Sequence, residues 1–293
     1  AARGELREAV AASERAAAIY LRRSGANGMA GVALLHIGEI KTQQGRNDAA
    51  LTTLRRVLSF RRNAPALERA PVHLLLADAL ADDRRGEAAE REYQAALDSV
   101  GPDPALDIRR AVLRGRARLA RDRGQPGEAI ALAREALPLD APELRRDRDE
   151  QASLDSVRAT VLHELGAALL AAGQIEPAML ACQEALTLAK LSHGPGAALT
   201  SRARLCVARV YLARDQGAAA RDLLIQAGEQ AASGEQAPAL RAEVRLALAD
   251  ALEADAPERA AELRADALAD LRAAGPGHAR EADALARAVP VAP

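Results

Sequence analysis

Residues 162–186 read LHELGAALLAAGQIEPAMLACQEAL. Leu162, Leu165 and Leu169 are spaced three and four apart, which lays one apolar stripe along a helix. Gly173 interrupts the stripe, and Pro177 follows at a position suited to the first turn of a second helix, where a missing N–H costs little. Gly166, Ala178 and Ala185 are small, and small side chains let two helix axes approach closely. The stretch predicts a tight helical hairpin.

Five other stretches lie over it in the same register: 34–58, 73–97, 113–137, 204–228 and 245–268, the last one residue shorter. The small columns recur as Gly38, Ala77, Ala117, Ala208 and Ala249, then Ala50, Ala89, Ala129, Ala220 and Ala260, then Val57, Ala96, Ala136, Ala227 and Ala267. Turn signals recur as Gly45, Gly86, Gly124, Gly217, and Asp255 with Pro257. A hairpin repeated at a fixed period is the sign of a solenoid, and such proteins usually bind rather than catalyse.

The small columns and mid-unit glycine resemble the tetratricopeptide repeat over roughly residues 31 to 270. Two features of that family are missing. Leu34, His73, Leu113, Leu162, Arg204 and Arg245 replace its early aromatic, and its terminal proline is absent. Successive units start 39, 40, 49, 42 and 41 residues apart, against about 34 for the family. The longer period is similar to kinesin light chains and to the repeat tails of bacterial serine/threonine kinases. GPGHAREADALARAV (275–289) resembles the Gly-Pro-x-His linker of that subgroup, and HGPGAAL (193–199) is a weaker version.

The resemblance implies an all-α, right-handed superhelical solenoid. Its parts are an N-terminal capping helix within 1–30, amphipathic over 5–22, and six repeats over 31–270 (about 31–64, 70–103, 110–143, 159–192, 201–234 and 242–272). An irregular insertion is expected at about 138–158, carrying Pro138, Pro142 and the charge run RRDRDE (145–150). A capping helix over 275–289 and a disordered tail over 290–293 complete it.

Composition agrees with this and excludes several classes. Aromatics are 1% of residues, and no window alternates with the period of a strand. Forty basic residues balance 41 acidic ones for a net charge of −1, so nothing suggests nonspecific nucleic-acid binding. Nearly all the basic residues are arginine, Lys41 and Lys190 being the lysines. No run of eighteen apolar residues would cross a membrane. The chain starts Ala-Ala-Arg, which reads as an excised fragment or processed protein, with any targeting or membrane segment upstream. A soluble cytoplasmic fragment is the default placement, and a periplasmic domain of a membrane-anchored kinase the alternative. Cys182 and Cys206 fall on different predicted helices and read as two buried small hydrophobes, or as a disulfide if the chain is exported.

No catalytic constellation stands out. His163-Glu164 begins like a zinc-binding His-Glu-x-x-His, but Ala167 occupies the second histidine position. No cofactor or metal is expected, and an enzyme built on the solenoid is the disfavoured class. A catalytic domain could lie upstream.

In the proteins this chain resembles, first helices line a concave groove that holds a peptide. Carried over by register, the central groove residues are Arg114, Arg118, Arg121, His163, Leu170, Arg202, Leu205, Arg209 and Leu212. The groove ends lean acidic, with Glu39, Asp78, Asp82, Glu243, Asp250 and Glu253. Arg114, Arg118 and Arg121 share one helix face and repel one another, unless Asp122, a neighbouring helix or a ligand compensates. The expected partner is another protein or peptide bearing acidic groups. Self-association through a poorly capped end is also open.

Overall fold

A computed structural model describes residues 27–100, 106–137, 148–232 and 237–288, together with residues 12, 15 and 19. Most of the helix expected over 5–22, the tail at 290–293, Pro138, Pro142 and the first half of the charge run (145–147) lie outside the described residues.

Six hairpins follow one another: α1 (Asn27–Gln43) with α2 (Asn47–Phe60), α3 (Ala66–Asp82) with α4 (Gly86–Val100), and α5 (Leu106–Asp122) with α6 (Pro126–Ala136). Then come α7 (Arg148–Ala171) with α8 (Ile175–His193), α9 (Ala198–Ala213) with α10 (Gly217–Ala232), and α11 (Pro238–Leu252) with α12 (Pro257–Ala273). A short 3₁₀ turn, Pro276–His278, leads into α13 (Ala279–Ala288). There is no strand among the described residues. The irregular stretch before the fourth hairpin resolves, from Arg148 onward, into a lengthened first helix.

The small columns act as the spacing predicts. A Cβ on Gly38 would stand 2.5 Å from Leu54 Cδ2, and one on Gly166 2.6 Å from Cys182 Sγ. Each glycine is the socket for its partner helix. Gly115, outside those columns, does the same for Tyr93, whose ring would lie 2.1 Å from an added Cβ. Cys182 and Cys206 are joined as a disulfide between α8 and α9.

One turn position of each of the first five hairpins takes a left-handed conformation. Gly45, Gly124 and Gly173 supply it in hairpins one, three and four, with φ of 69°, 75° and 72°. In hairpins two and five it falls on Arg84 and Asp215, both at φ 58°. Gly86 and Gly217 lie two residues later, as the first residues of α4 and α10. There a Cβ would meet the next hairpin at contact distance, 3.4 Å from the Ala251 carbonyl oxygen for Gly217 and 3.7 Å from Leu119 Cδ2 for Gly86, so neither position needs glycine for space.

The first helices α1, α3, α5, α7, α9 and α11 stack on one another, and the second helices flank them. The apolar core runs between the two layers. Leu51, Leu54, Leu76 and Tyr93 fill it in the first half, and Leu165, Leu169, Met179, Val207 and Leu224 in the second. The inner face of the first helices is left as the wall of a central space.

That wall closes on itself. The first hairpin's turn reaches α11: a Cβ on Gly45 would stand 2.9 Å from Ala237 Cβ and 3.0 Å from Pro238 Cδ. The turn after α12 reaches the end of α3, where His278 Nε2 lies 3.0 Å from the Asp82 carbonyl oxygen, 196 residues away in sequence. On its other side α13 packs Ala282 and Leu285 against Ala242, Ala267 and Leu271.

Candidate functional site: the lumen

The ring encloses two chambers. One, of about 470 Å³, is lined by Leu170, Leu205, Leu240 and Glu243 with Arg84, Arg121, Arg209 and Asn47. The other, of about 580 Å³, is lined by Leu75, Asp78, Arg114, Thr160, His193 and Leu199. Asp82, Arg118, His163, Glu164 and Arg202 border both, so they form the waist between them.

The arginines of α5 are compensated by neighbouring helices. Arg114 donates to Asp78 at 2.8 Å, and Asp78 also accepts from the Tyr93 hydroxyl at 2.6 Å. Arg118 pairs with Asp82 at 2.6 Å. Arg121 pairs with Glu164 at 2.8 Å and with its neighbour Asp122 at 3.2 Å. On α9, Arg209 pairs with Glu243 of α11 at 3.0 Å. Of the acids that the sequence places at the groove ends, Asp78, Asp82 and Glu243 thus meet basic residues of the centre in a ladder of ion pairs, whereas Asp250 and Glu253 pair with Arg264 and Glu39 lies beside His36.

These pairs fix the charge states. Burial alone would raise the carboxyl of Glu164, but Arg121, His163, Arg118 and Arg114 outweigh it and bring it down to about 2. Burial likewise opposes Arg209, Arg202 and Arg84 at Glu243, which also falls to about 2. Asp82 is lowered against its burial by Arg118 and then Arg202. Burial drives the imidazole of His163 down to about 4, with Glu164 opposing and Arg202 assisting. His163 is therefore neutral at pH 7, and its Nδ1 is buried with no hydrogen-bond partner.

Arg202 stands apart. It borders both chambers and acts on Asp82, His163 and Glu243 electrostatically. Among the described residues it forms no ion pair or hydrogen bond. Asn47 also lines the first chamber, is 7% exposed, and leaves its side-chain oxygen without a partner.

Of the residues placed in the groove by register, Arg114, Arg118, Arg121, His163, Leu170, Arg202, Leu205 and Arg209 come together around the two chambers. Leu212 does not border either one. It packs half-buried against the cluster of Leu205, Leu224 and Leu240. Register reasoning missed Asn47, Arg84, His278 and Glu281, all of which line the first chamber. Arg84 and Asn47 belong to hairpin turns or their edges, and the other two to the C-terminal turn and helix. A reading confined to first-helix positions passes over them. Among the described residues no cluster of metal-binding side chains is present, and no helix is long and apolar enough to cross a membrane.

No protein-family model matches the chain, and no curated protein matches it in sequence. Solved structures do match. The Rap protein complexed with competence and sporulation factor has a TM-score of 0.60 at 13% identity, over 88% of this chain and 76% of that one. Human IFIT1, solved as a dimer with m7Gppp-AAAA, has a TM-score of 0.57 at 14% identity, over 96% and 58%. A putative kinesin light chain from Podosopora anserina with nearly identical TPR-like repeats gives 0.45 at 21% identity, over 69% and 94%. The fold is a tetratricopeptide-type solenoid.

Proposed function

We propose that this tetratricopeptide-type ring is a protein-interaction scaffold whose lumen holds an acidic or carboxylate-bearing segment of a partner polypeptide. Arg202 carries the reading. The other arginines of the waist and chambers are claimed by carboxylates of the chain itself, whereas Arg202 faces both chambers and meets no carboxylate at ion-pair distance among the described residues. A guanidinium presents paired N–H donors that match a carboxylate. Leu170, Leu205 and Leu240 give the rest of the segment an apolar bed. The Rap structure, bound to competence and sporulation factor, lends support by analogy of fold. The test is affinity capture with the full chain, then calorimetry of the captured partner against Arg202→Ala. A loss of tenfold or more is expected, since a hydrogen bond to a charged group is worth about 1.5–3 kcal/mol. Equal affinity for a folded Arg202→Ala protein would remove the reading.

A more specific reading makes the chain a sensory or regulatory repeat region of a bacterial serine/threonine kinase or other signalling protein, lying outside the cytoplasm. What supports it is the Cys182–Cys206 bond, since disulfides persist in oxidising compartments and are rare in the cytosol. Thiol titration of protein trapped with acid directly from cells checks this. Two free thiols per denatured chain would argue against export.

A further inference from the structure

The second chamber does not balance its own charges. Glu39, Asp78, Asp82 and Glu164 line it against Arg114, Arg118 and Arg202, so four carboxylates face three guanidiniums. Pairing leaves a definite remainder. Arg114 takes Asp78 at 2.8 Å, and Arg118 takes Asp82 at 2.6 Å. Glu164 is held from the first chamber by Arg121 at 2.8 Å. His163 adds no charge at pH 7, since burial drives its imidazole down to about 4. Arg202 at the waist and Glu39 on α1 are left over.

Glu39 is open to an occupant. Its side chain is 47% exposed, and its ion-pair contact among the described residues is the exposed His36 ring, 3.8 Å away on the same helix. A contact of that length between exposed groups holds little. Thr42 stands three residues on, and its hydroxyl donates to the Gly38 carbonyl at 3.0 Å, which leaves its oxygen free to accept. Both residues line the chamber, as do Leu75 and Leu199. Two oxygens beside apolar side chains suit a lysine, whose ammonium carries three donors on a stem that lies along apolar surface. The cavity, about 580 Å³, is large enough for such a group and the chain that bears it. The first chamber gives an independent sign of an occupant. Asn47 there is 7% exposed with its side-chain oxygen unmatched, whereas buried acceptors are ordinarily paired. A main-chain N–H of the same segment would match it.

We propose that the segment held in the lumen is dipolar: it sets a carboxylate on Arg202 at the waist and, a few residues away, a lysine ammonium on Glu39 and Thr42 in the second chamber. The inference rests on the lumen being the binding site and adds what that site selects. Arg202 asks for the acid, and Glu39 discriminates among acidic segments by the basic residue that accompanies it.

Short fluorescent peptides of alanine and serine test this on the full chain, with binding read by anisotropy. Each carries one glutamate, and a second position a few residues to either side holds lysine, alanine or glutamate. At the best spacing the Glu/Lys peptide should bind roughly threefold to fivefold tighter than its Glu/Ala counterpart, as a part-exposed ion pair provides. Added salt should shrink that preference. Glu39→Gln should bring the Glu/Lys peptide down to the level of Glu/Ala, and Glu39→Lys should turn the preference towards Glu/Glu. Glu39 is half-exposed and makes no hydrogen bond among the described residues, so both variants should fold, which thermal unfolding checks. A wild-type chain that treats Glu/Lys and Glu/Ala alike at every spacing overturns the inference and leaves the lumen as binding site standing. A preference that survives Glu39→Gln does the same. Failure of every glutamate peptide to bind overturns the lumen as binding site, and the dipolar segment with it.

Discussion

Hairpins three and five are built on one plan and use arginine in opposite ways. In hairpin three, Arg114, Arg118 and Arg121 are each matched to an acid on a neighbouring first helix, Asp78, Asp82 and Glu164. In hairpin five, Arg209 is matched to Glu243, but Arg202 is matched to nothing among the described residues. The matched set holds neighbouring hairpins in register. The unmatched one leaves donors facing the space between them. The sign of a residue's charge is therefore a poor guide to its role here, and the presence of an acid on the adjacent helix is a better one.

The largest effect should come from breaking a matched pair. Glu164, 8% exposed at its side chain, leaves Arg121 short of its main partner when replaced by Ala. Glu164→Ala should cost about 3 kcal/mol at pH 7 in urea unfolding, the usual penalty for stripping one partner from a buried pair. A loss below about 1 kcal/mol would make the hairpin-three ladder as dispensable as a surface pair.

Acid should reveal a second difference, because His163 sits at the waist and is kept neutral. Its imidazole titrates at about 4 in the folded chain against 6.5 for an ordinary histidine. The unfolded chain thus binds the proton first, and the contribution of His163, complete above pH 6.5, is lost as pH falls towards 4. Glu164 and Glu243 contribute little to the change between pH 7 and pH 5. With folded values of about 2 and ordinary values of 4.5, they release most of their contribution below pH 4.5. Urea midpoints should therefore fall between pH 7 and pH 5, and His163→Asn should flatten that slope.

The turns of the two hairpins supply a smaller contrast. Gly124 holds the left-handed position in hairpin three, and the exposed Asp215 holds it in hairpin five. Asp215→Gly should stabilise by about 0.5 kcal/mol, and Gly124→Ala should destabilise by about 1 kcal/mol, in thermal unfolding. Identical shifts in both would mean that the conformation is not what distinguishes the turns. Last, Arg202→Ala should change stability by no more than about 0.5 kcal/mol, while abolishing most partner affinity. A large stability loss would reveal a structural partner and move Arg202 into the class of hairpin three.

Much of this was legible in the small columns. Gly38 and Gly166 announce close helix approaches, and Leu54 and Cys182 fill them. Gly115 could have been read the same way but lies off the repeating register. The missing aromatics were visible, though their replacements were not interpretable. His73 contacts Glu92 at 2.8 Å, Arg204 donates to the Pro195 carbonyl at 2.8 Å, and Arg245 pairs with Asp270, so polar contacts do part of the work of aromatic packing. The spacing left Asp122, a neighbouring helix or a ligand open as what compensates the α5 arginines, because their acids stand on other hairpins, 36 residues away for Arg114 and 43 for Arg121. Leu212 fell in register with the groove yet turned to the core, because α10 and α11 present Leu224 and Leu240 there. Ring closure was hidden most deeply. The Gly-Pro-x-His linker was plain, but nothing local says that its histidine meets a carbonyl 196 residues back.

Closure also bears on how such a chain can change over generations. An open array tolerates the gain or loss of a repeat, because each unit touches only its neighbours. Here Gly45 must meet Ala237, and Gly277 must meet Asp83, with no room for a methyl group at the second contact. One hairpin more or fewer would carry these partners out of register. These two contacts thus act as a ruler on the stretch of chain between them.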